Sequence, residues 1–390
     1  MNQETKQFIT DNREANIHQL ALQQAKYPLV DMPLAIRQIN GMQKIKAKVP
    51  LFYNNETILY PVQLSLEQSS SESTAKYKAS LCEGNILVDL TGGFGVDCSF
   101  MSRGFKQVTY VERQGELCEL ASHNLRALNL PHVQVINAET ENYLSSMEAV
   151  DWIFIDPARR SSAGKKVVLL SDCEPDVSAL SSALLSKASR VLIKLSPMMD
   201  ITAAVKELPN TAEIHILSVD NECKEVLLLL DQQTHTQQHI YTLNTGKNNK
   251  SEAFDFVLDE ESRATVTYAT AVEKYLYEPN AAVMKSGAFK LIGARYGLRK
   301  LHQNTHLYTS DKQVLEFPGR IFEVVKQRGS SKKDLKELSA NNPKANITTR
   351  NYPLTVEELR KKLQLKDGGD LYLFACTLAP DVKVILECRK

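Results

Sequence analysis

A short glycine-rich turn constrains this chain more than any other feature of its sequence. The turn reads DLTGGFG from Asp89 to Gly95 and follows the apolar run Ile86, Leu87 and Val88, which is typical of a buried strand. Residues 96–103 then have the pattern of a helix start. A strand, a glycine turn and a helix start predict backbone N–H groups arranged around the anionic end of a ligand.

An acidic residue stands at the end of the next predicted strand. Glu112 closes the apolar run Val108, Thr109, Tyr110 and Val111. It lies about 20 residues beyond the glycines, where nucleotide-binding α/β folds place a carboxylate on ribose hydroxyls. The two features together predict an α/β fold that binds a nucleoside-like group.

Residues 86–230 alternate between apolar runs and helical patterns. We predict strands at 86–90, 107–112, 133–137, 152–156 and 191–195. We predict helices at 116–128, 139–147, 177–188 and 201–208. Because the strands are apolar throughout, the pattern favours a parallel sheet that is covered by helices on both faces.

The end of this region distinguishes two variants of the fold. Strand patterns at 213–219 and 225–230 are separated by about five residues, whereas a parallel crossover needs a dozen or more. The two strands must therefore be antiparallel if they are neighbours. A Rossmann-like seven-stranded sheet with one reversed strand is similar to that of class I methyltransferases, and it differs from an all-parallel dinucleotide-binding sheet.

The predicted central domain spans residues 81–235, and the flanking parts differ from it. Residues 1–80 are predicted as an N-terminal helical region, with an extended piece at 57–66 and a helix cap at Ser73 and Thr74. Residues 236–275 are expected to be an extension and linker. Small α+β units are predicted at 276–320 and 321–390.

Composition excludes some classes of protein. The sequence has no apolar run long enough for a membrane span and begins with a polar, acidic segment. Its seven cysteines are scattered without CxxC spacing, and the histidines show no paired spacing. We therefore expect reduced thiols, no metal site and a cytoplasmic protein.

Charge is unevenly distributed along the chain. The net charge is +1, yet from Val283 to the end basic residues outnumber acidic ones by about two to one. A basic C-terminal third suggests a polyanionic partner such as nucleic acid. A solvated lysine-rich surface explains the same pattern equally well.

The glycine turn resembles motif I of S-adenosylmethionine-dependent methyltransferases, with Thr91 in place of the usual first glycine. The resemblance implies that the backbone of Gly92, Gly93 and Gly95 lies along the methionine part of S-adenosyl-L-methionine. It further implies that Asp89 touches the ammonium or organises the turn, and that Glu112 accepts the ribose hydroxyls.

The third predicted strand is followed by Glu139, at the place that contacts adenine in this superfamily. Its carboxylate can accept a hydrogen bond from the exocyclic amine. An acid that merely favours the N-terminus of a helix remains the alternative.

The sequence after the fourth strand resembles motif IV of the same enzymes. Asp156, Pro157, Ala158, Arg159 and Arg160 follow that strand, where enzymes that methylate exocyclic amines often carry Asp/Asn-Pro-Pro-aromatic. Asp156, Pro157 and Arg159 are the predicted catalytic residues. The two arginines are also predicted to bind substrate phosphate, and a pairing of either one with Glu174 is the alternative.

Two further segments are placed near the same cleft. Lys194, at the end of the fifth strand, is a predicted substrate-binding residue whose alternative is a solvated lysine. The segment that contains Gln68, Ser70, Thr74 and Tyr77 covers the cofactor in related enzymes, although simple packing explains it as well.

The whole chain resembles a bacterial family of class I methyltransferases with a C-terminal THUMP-like domain. The resemblance is carried by DLTGGFGVD, YVE and DPARR, then by EPNAAVMKSGAF and ARYGLRKLHQNTHLYTS, and finally by FEVVKQRG. True THUMP domains bind RNA, so the resemblance implies a structured RNA substrate such as tRNA or rRNA.

Other functions remain open at this point. The unusual DPARR sequence leaves open the alternative that this is an RNA-binding protein that has lost methyltransferase activity. Two further alternatives are a nicotinamide-dependent oxidoreductase and a methyltransferase that acts on small molecules or proteins. The sequence leaves the target atom and the oligomeric state open, although a monomer is compatible with it.

Overall fold

A computed structural model describes residues 1–159, 169–246 and 250–390 of the chain. They form two compact units, one of residues 1–212 and 226–236 and the other of residues 213–225 and 237–390. Within the described residues, no helix is long and apolar enough to cross a membrane.

The first 81 residues are helical, as predicted. The helices are α1 (Gln3–Asp11), α2 (Ile17–Ala21), α3 (Met32–Ile45), α4 (Pro50–Tyr53), α5 (Gln63–Gln68) and α6 (Glu72–Leu81). The prediction of an extended piece at 57–66 is wrong at its end, where α5 begins. The cap of α6 is Ser71 rather than Ser73 or Thr74, because the Ser71 side chain accepts from the Thr74 N–H.

The sheet of the first unit begins with parallel strands. The strands are β1 (Gly84–Asp89), β2 (Phe105–Glu112), β3 (Val133–Asn137), β4 (Val150–Ile155), β5 (Ala158–Arg159), β6 (Cys173–Glu174) and β7 (Ala188–Leu195). β3, β2, β1, β4 and β7 lie side by side in that order and are all parallel. β5 and β6 form a separate short antiparallel pair. The connecting helices are α7 (Val96–Met101), α8 (Gly115–Ala127), α9 (Thr140–Ser146), α10 (Val177–Lys187) and α11 (Ile201–Glu207).

The reversed strand is present, but the prediction of seven strands is wrong. β8 (Thr211–Val219) and β9 (Glu222–Asp231) follow, and β9 is antiparallel to β7. β10 (His239–Thr245) and β11 (Ser251–Val257) then extend the sheet to nine strands, in the order β11-β10-β8-β9-β7-β4-β1-β2-β3. Alternating burial along β10 explains this extension, because one of its faces is covered although its sequence is polar.

The rest of the second unit is built around a seven-stranded sheet. Its strands are β12 (Tyr275–Pro279), β13 (Arg299–His302), β14 (Thr305–Ser310), β15 (Gly319–Arg328), β16 (Asn346–Arg350), β17 (Tyr372–Leu378) and β18 (Val382–Arg389). Its helices are α12 (Leu258–Arg263), α13 (Ala281–Ser286), α14 (Leu291–Arg295), α15 (Lys332–Asn341) and α16 (Val356–Leu363). The strand order is β13-β14-β12-β15-β18-β17-β16. β13 and β14 form a hairpin, because the chain turns at Gln303 and Asn304.

This second sheet is strongly curled. The Thr305 hydroxyl donates to the Thr377 carbonyl at 2.7 Å, and the Ala379 N–H donates to the Leu301 carbonyl at 2.8 Å. These bonds join β13 and β14 to β17 and its following turn, although the strands are far apart in the order of the sheet. The sheet therefore bends towards closure around an apolar cluster that includes Phe322.

A buried carboxylate lies on β12 of the curled sheet. Glu278 is 2% exposed, and its oxygens accept hydrogen bonds from the Arg320 guanidinium and, at 2.8 Å, from Arg350. The two arginines are 35% and 38% exposed. Because β15 and β16 provide these arginines, one carboxylate links three strands.

Candidate functional site

The predicted glycine turn lies at the carboxyl end of β1. Gly93 and Gly95 have φ angles of +55° and +81°, which favour glycine because other residues meet steric hindrance there. Gly92 is required for a different reason, since a Cβ there would lie 2.0 Å from a ring carbon of Tyr110. The Tyr110 hydroxyl donates to the Gly93 carbonyl at 2.5 Å. Tyr110 therefore fixes the turn through both its ring and its hydroxyl.

The turn does not offer the row of free N–H groups that its sequence suggested. The N–H of Thr91 donates to Asp89, that of Gly92 to the Val111 carbonyl and that of Gly95 to the Gly92 carbonyl. The Gly93 N–H donates to Glu112. The glycines therefore contribute close approach of the backbone rather than a set of unused donors.

Asp89 is a buried carboxylate with one unused oxygen. Its Oδ1 accepts from the Thr91 N–H at 3.0 Å, whereas its buried Oδ2 has no hydrogen-bond partner among the described residues. Burial is the main cause that raises the pKa of Asp89 well above its ordinary value, and the nearby Asp97, Asp156 and Glu112 add to the effect. Such a group is stabilised by a positive charge placed beside it.

Glu112 is also buried, at the end of the neighbouring strand β2. Its Oε2 accepts from the Gly93 N–H at 3.0 Å, and its Oε1 accepts from the Gln114 N–H at 2.9 Å. Each carboxylate oxygen can accept a second hydrogen bond. The predicted ribose acceptor therefore also fixes the position of the glycine turn.

Glu139 stands at the N-cap of α9 on the same edge of the sheet. Its side chain is exposed and makes no capping hydrogen bond. Next to it, the Thr140 hydroxyl donates to the Leu90 carbonyl at 2.8 Å. This bond ties the segment after β3 to the segment after β1, so the predicted adenine contact is brought to the edge that carries Asp89 and Glu112.

Asp156 follows β4 and is held by the glycine turn. Its N–H donates to the Thr91 hydroxyl at 2.6 Å, which gives a structural reason for threonine at the position where the motif usually has glycine. Pro157 is buried beside it. The backbone of Arg159 pairs with Cys173 in the antiparallel β5–β6 pair. Arg160 and the side chain of Arg159 lie outside the described residues.

The alternative partner for these arginines, Glu174, has another neighbour. Its Oε1 accepts from Arg113 Nη1 at 2.7 Å, and both side chains are about half exposed. Because Arg113 directly follows Glu112 and Glu174 lies in β6, the ion pair of Arg113 and Glu174 links β6 to the end of β2.

A line of charged groups, largely buried, runs next to Asp156, and we call it the buried ion-pair chain. It consists of Lys78, Asp97, Lys194 and Asp156. Lys78 Nζ lies 3.2 Å from Asp97 Oδ1, and Lys194 Nζ lies 3.6 Å from Asp97 Oδ2 and 2.5 Å from Asp156 Oδ2. The alternative of a solvated Lys194 is wrong, because this side chain is buried and paired.

Asp97 is the centre of the buried ion-pair chain. Burial alone would raise its pKa, but Lys78, Lys194 and the Ser70 hydroxyl outweigh burial and hold the pKa below its ordinary value. The Ser70 hydroxyl donates to Asp97 Oδ2 at 2.7 Å. Of the segment before motif I, Ser70 therefore contacts this chain, and Thr74 is buried nearby in sequence, whereas Gln68 is exposed.

Sequence reasoning did not identify Asp97 or Lys78. The available signal was that Asp97, two positions after the glycine turn, is the one charged residue in the stretch from Val96 to Ser102. Within the part of the chain that the structure describes, no cluster of His, Cys, Asp and Glu side chains has the arrangement of a metal site.

Three family models match consecutive parts of the chain. Residues 72–208 match conserved hypothetical protein 95, residues 275–318 match a ferredoxin-like domain and residues 319–390 match a THUMP domain-like family. Two strains of Mycobacterium tuberculosis contain relatives named as uncharacterized S-adenosylmethionine-dependent methyltransferases. Each is 24% identical over 311 residues, which cover 79% of this chain and 81% of the relative.

A solved structure is similar over nearly the whole length. It is the crystal structure of a candidate methyltransferase from Porphyromonas gingivalis W83, with 32% identity, a TM-score of 0.88 and coverage of 99% of this chain and 97% of that one. The resemblance found in the sequence is thereby confirmed. The chain belongs to the class I S-adenosylmethionine-dependent methyltransferase family with C-terminal ferredoxin-like and THUMP-like domains.

Proposed function

We propose that this protein transfers a methyl group from S-adenosylmethionine to a structured RNA, such as tRNA or rRNA, in the cytoplasm. The observation that carries the proposal is the buried Asp89 Oδ2, which lacks a hydrogen-bond partner in the described structure and stands at the start of a turn that contains three glycines. A ligand with a cationic amino group and a compact tail suits this combination.

The residues present fit the cofactor. Asp89 would accept from its ammonium group, and the backbone of Gly93 and Gly95 would lie along the amino-acid tail. Glu112 would accept from the ribose hydroxyls through the second lone pairs of its oxygens, and Glu139 from the exocyclic amine of adenine. These roles draw support from the common edge of the sheet on which the four positions stand.

When bound, S-adenosylmethionine supplies an activated methyl group on a sulfonium. The protein then has to align the acceptor with that methyl group and exclude water. Asp156 stands next to the glycine turn and is a carboxylate able to accept a proton or a hydrogen bond from the acceptor. Pro157 and Arg159 would shape the acceptor side of the cleft. Arg159 and Arg160 would also bind a phosphate group of the RNA.

The RNA substrate is supported by the second unit. Its sequence is basic from Val283 onward, and residues 319–390 match the THUMP-like family. Phosphate neutralisation by lysine and arginine is the main source of affinity for nucleic acid. The β9 strand, antiparallel to β7, speaks against a nicotinamide-binding sheet in which all strands are parallel.

Mass spectrometry of modified nucleosides tests the RNA claim. Total RNA from a strain that lacks this gene is expected to miss one methylated nucleoside that the parent contains, and the purified protein should restore it with S-adenosylmethionine. Unchanged nucleosides together with RNA binding would instead identify an inactive RNA-binding protein. Turnover that survives removal of residues 276–390 would point to a small molecule or protein substrate.

Cofactor affinity is expected to depend on pH through Asp89. Its pKa is raised in the folded protein, so ionised Asp89 is disfavoured until a cation lies beside it. Binding of an ammonium group then favours loss of the proton. The affinity for S-adenosylhomocysteine should therefore rise with pH below the raised pKa of Asp89, by up to about tenfold per unit, and level off above that pKa.

Isothermal titration at several pH values measures this dependence. The control is Asp89→Asn, whose amide oxygen can still accept from the Thr91 N–H but cannot titrate. Its affinity should be lower and nearly independent of pH. An equal slope in the variant would assign the pH dependence to another group, and no binding at any pH in the wild type would overturn the proposed cofactor.

A further inference from the structure

The buried ion-pair chain connects four separate segments beside the predicted acceptor site. Lys78 comes from α6, Asp97 from α7, Lys194 from the end of β7 and Asp156 from the end of β4. The side chains of Lys78, Asp97 and Lys194 are 0%, 10% and 11% exposed, whereas that of Asp156 is 34% exposed. Only the last member therefore opens substantially to solvent.

Asp156 is fixed at two points. Its backbone N–H is bound to the Thr91 hydroxyl, and its Oδ2 lies 2.5 Å from Lys194 Nζ. Within the described residues, its other oxygen, Oδ1, makes no hydrogen bond. Because Thr91 belongs to the glycine turn, the free oxygen is held in a constant place relative to the predicted cofactor site.

We propose that Lys194 is a positioning residue, which holds Asp156 so that Oδ1 accepts a hydrogen bond from an N–H group of the methyl acceptor. This inference rests on the proposed function. It assigns the acceptor to the chemical class of amines and ring N–H groups of a nucleobase, and it gives Lys194 a role through Asp156 rather than through substrate phosphate.

Burial and pairing argue against a direct phosphate contact. Lys194 is already placed between two carboxylates, and an approaching phosphate would have to displace one of them from a largely buried site. Stability alone does not explain the arrangement either. Buried ion pairs often contribute less to stability than apolar residues of the same volume would. Holding the Asp156 carboxylate in one position therefore explains these charges better than a gain in stability does.

The transfer step balances with these groups. The bond between the methyl carbon and sulfur breaks and a bond between that carbon and the acceptor nitrogen forms, so the positive charge passes from sulfur to nitrogen. The nitrogen then releases one proton, which Asp156 accepts or passes to solvent. Lys194 keeps its own proton throughout and only maintains the position of Asp156.

Lys194→Met is the central variant, because methionine has a similar length and no charge. Methyl transfer is measured with S-adenosylmethionine labelled in its methyl group and total RNA from the strain that lacks the gene. We expect kcat to fall about 100-fold, the usual cost of misplacing a reacting group, with the KM for RNA and the affinity for S-adenosylhomocysteine changed less than about threefold. The control is Lys206→Met, an exposed lysine on α11 that should retain full activity.

A double-variant cycle separates positioning from a general structural effect. Once Asp156→Asn is in place, adding Lys194→Met should cause no further loss of kcat, because Lys194 acts through Asp156. Additive losses would show that Lys194 acts independently. A raised KM for RNA with kcat unchanged would identify Lys194 as a phosphate contact instead, and either result overturns the inference.

A crystal structure of Lys194→Met with S-adenosylhomocysteine gives a readout that needs no turnover. The Asp156 carboxylate should rotate away from its wild-type orientation while the glycine turn stays in place. An unchanged carboxylate would refute the positioning role even if the enzyme is active. If the wild type transfers no methyl group, the proposed function fails, and the crystal structure still decides the role of Lys194.

Discussion

Replacing Gly92 with alanine is expected to lower the affinity for S-adenosylhomocysteine by about 100-fold. The added Cβ would lie between 2.0 and 2.4 Å from three carbons of the Tyr110 ring. Tyr110 has no room to yield, because it is fully buried on β2 and its hydroxyl is bound to the Gly93 carbonyl. The turn must therefore move, and the contact between Gly93 and Glu112 is lost with it.

Gly115→Ala is the matched control for this variant. Gly115 begins α8 on the same edge of the sheet, and a Cβ there would lie 3.6 Å from Asn137 Oδ1, an ordinary contact. Its affinity should stay within about threefold of the wild type. Isothermal titration measures both variants, with circular dichroism to compare their folding. Wild-type binding by Gly92→Ala would mean that the cofactor does not use this turn.

The second large effect is expected in the curled sheet, where Arg320→Met should lower the free energy of unfolding by about 3 kcal/mol. The variant leaves Glu278 buried with Arg350 as its remaining partner among those described. Removal of one member of a buried pair typically costs about 3–5 kcal/mol, and we expect the low end because Arg350 still neutralises part of the charge.

Urea denaturation of the full chain, followed by circular dichroism, measures this loss as a shift of the unfolding transition to lower urea concentration. Arg360→Met is the control, because its partner Asp367 is 78% exposed and such surface pairs contribute at most about 1 kcal/mol. Adding Glu278→Gln to Arg320→Met should recover part of the loss, since the amide carries no charge. Equal stability of Arg320→Met and Arg360→Met would show that Glu278 is solvated in solution.

The parallel core of the first unit was predictable because each strand carries its own signal. β3 was predicted with its observed bounds, and the ends of β2 and β7 were predicted at Glu112 and Leu195. These runs are apolar and separated by amphipathic helices, so local pattern and tertiary burial agree. The edge of the sheet that carries the candidate site residues followed from the strand ends.

The contacts within the site were less predictable, because they join residues that are distant in sequence. Lys78 and Asp97 stand 19 positions apart and meet through the packing of α6 on α7, which no local pattern encodes. The hydroxyl of Thr91 bonds to Asp156, yet the sequence shows only a departure from the usual glycine. The hairpin of β10 and β11 was not predicted as strands, because its composition is polar and only alternate residues of β10 are buried.

That hairpin determines where the chain can be shortened. β10 lies parallel to β8 along seven paired residues, from Glu213 to Val219. A fragment that stops at residue 235, the end of the domain proposed from the sequence, would leave the backbone of β8 without this partner, and Ile214 and Ile216 would lose cover. Unprotected apolar edges of this kind pair with other molecules and aggregate. Isolated catalytic fragments should therefore extend at least through Val257 to remain usable in solution.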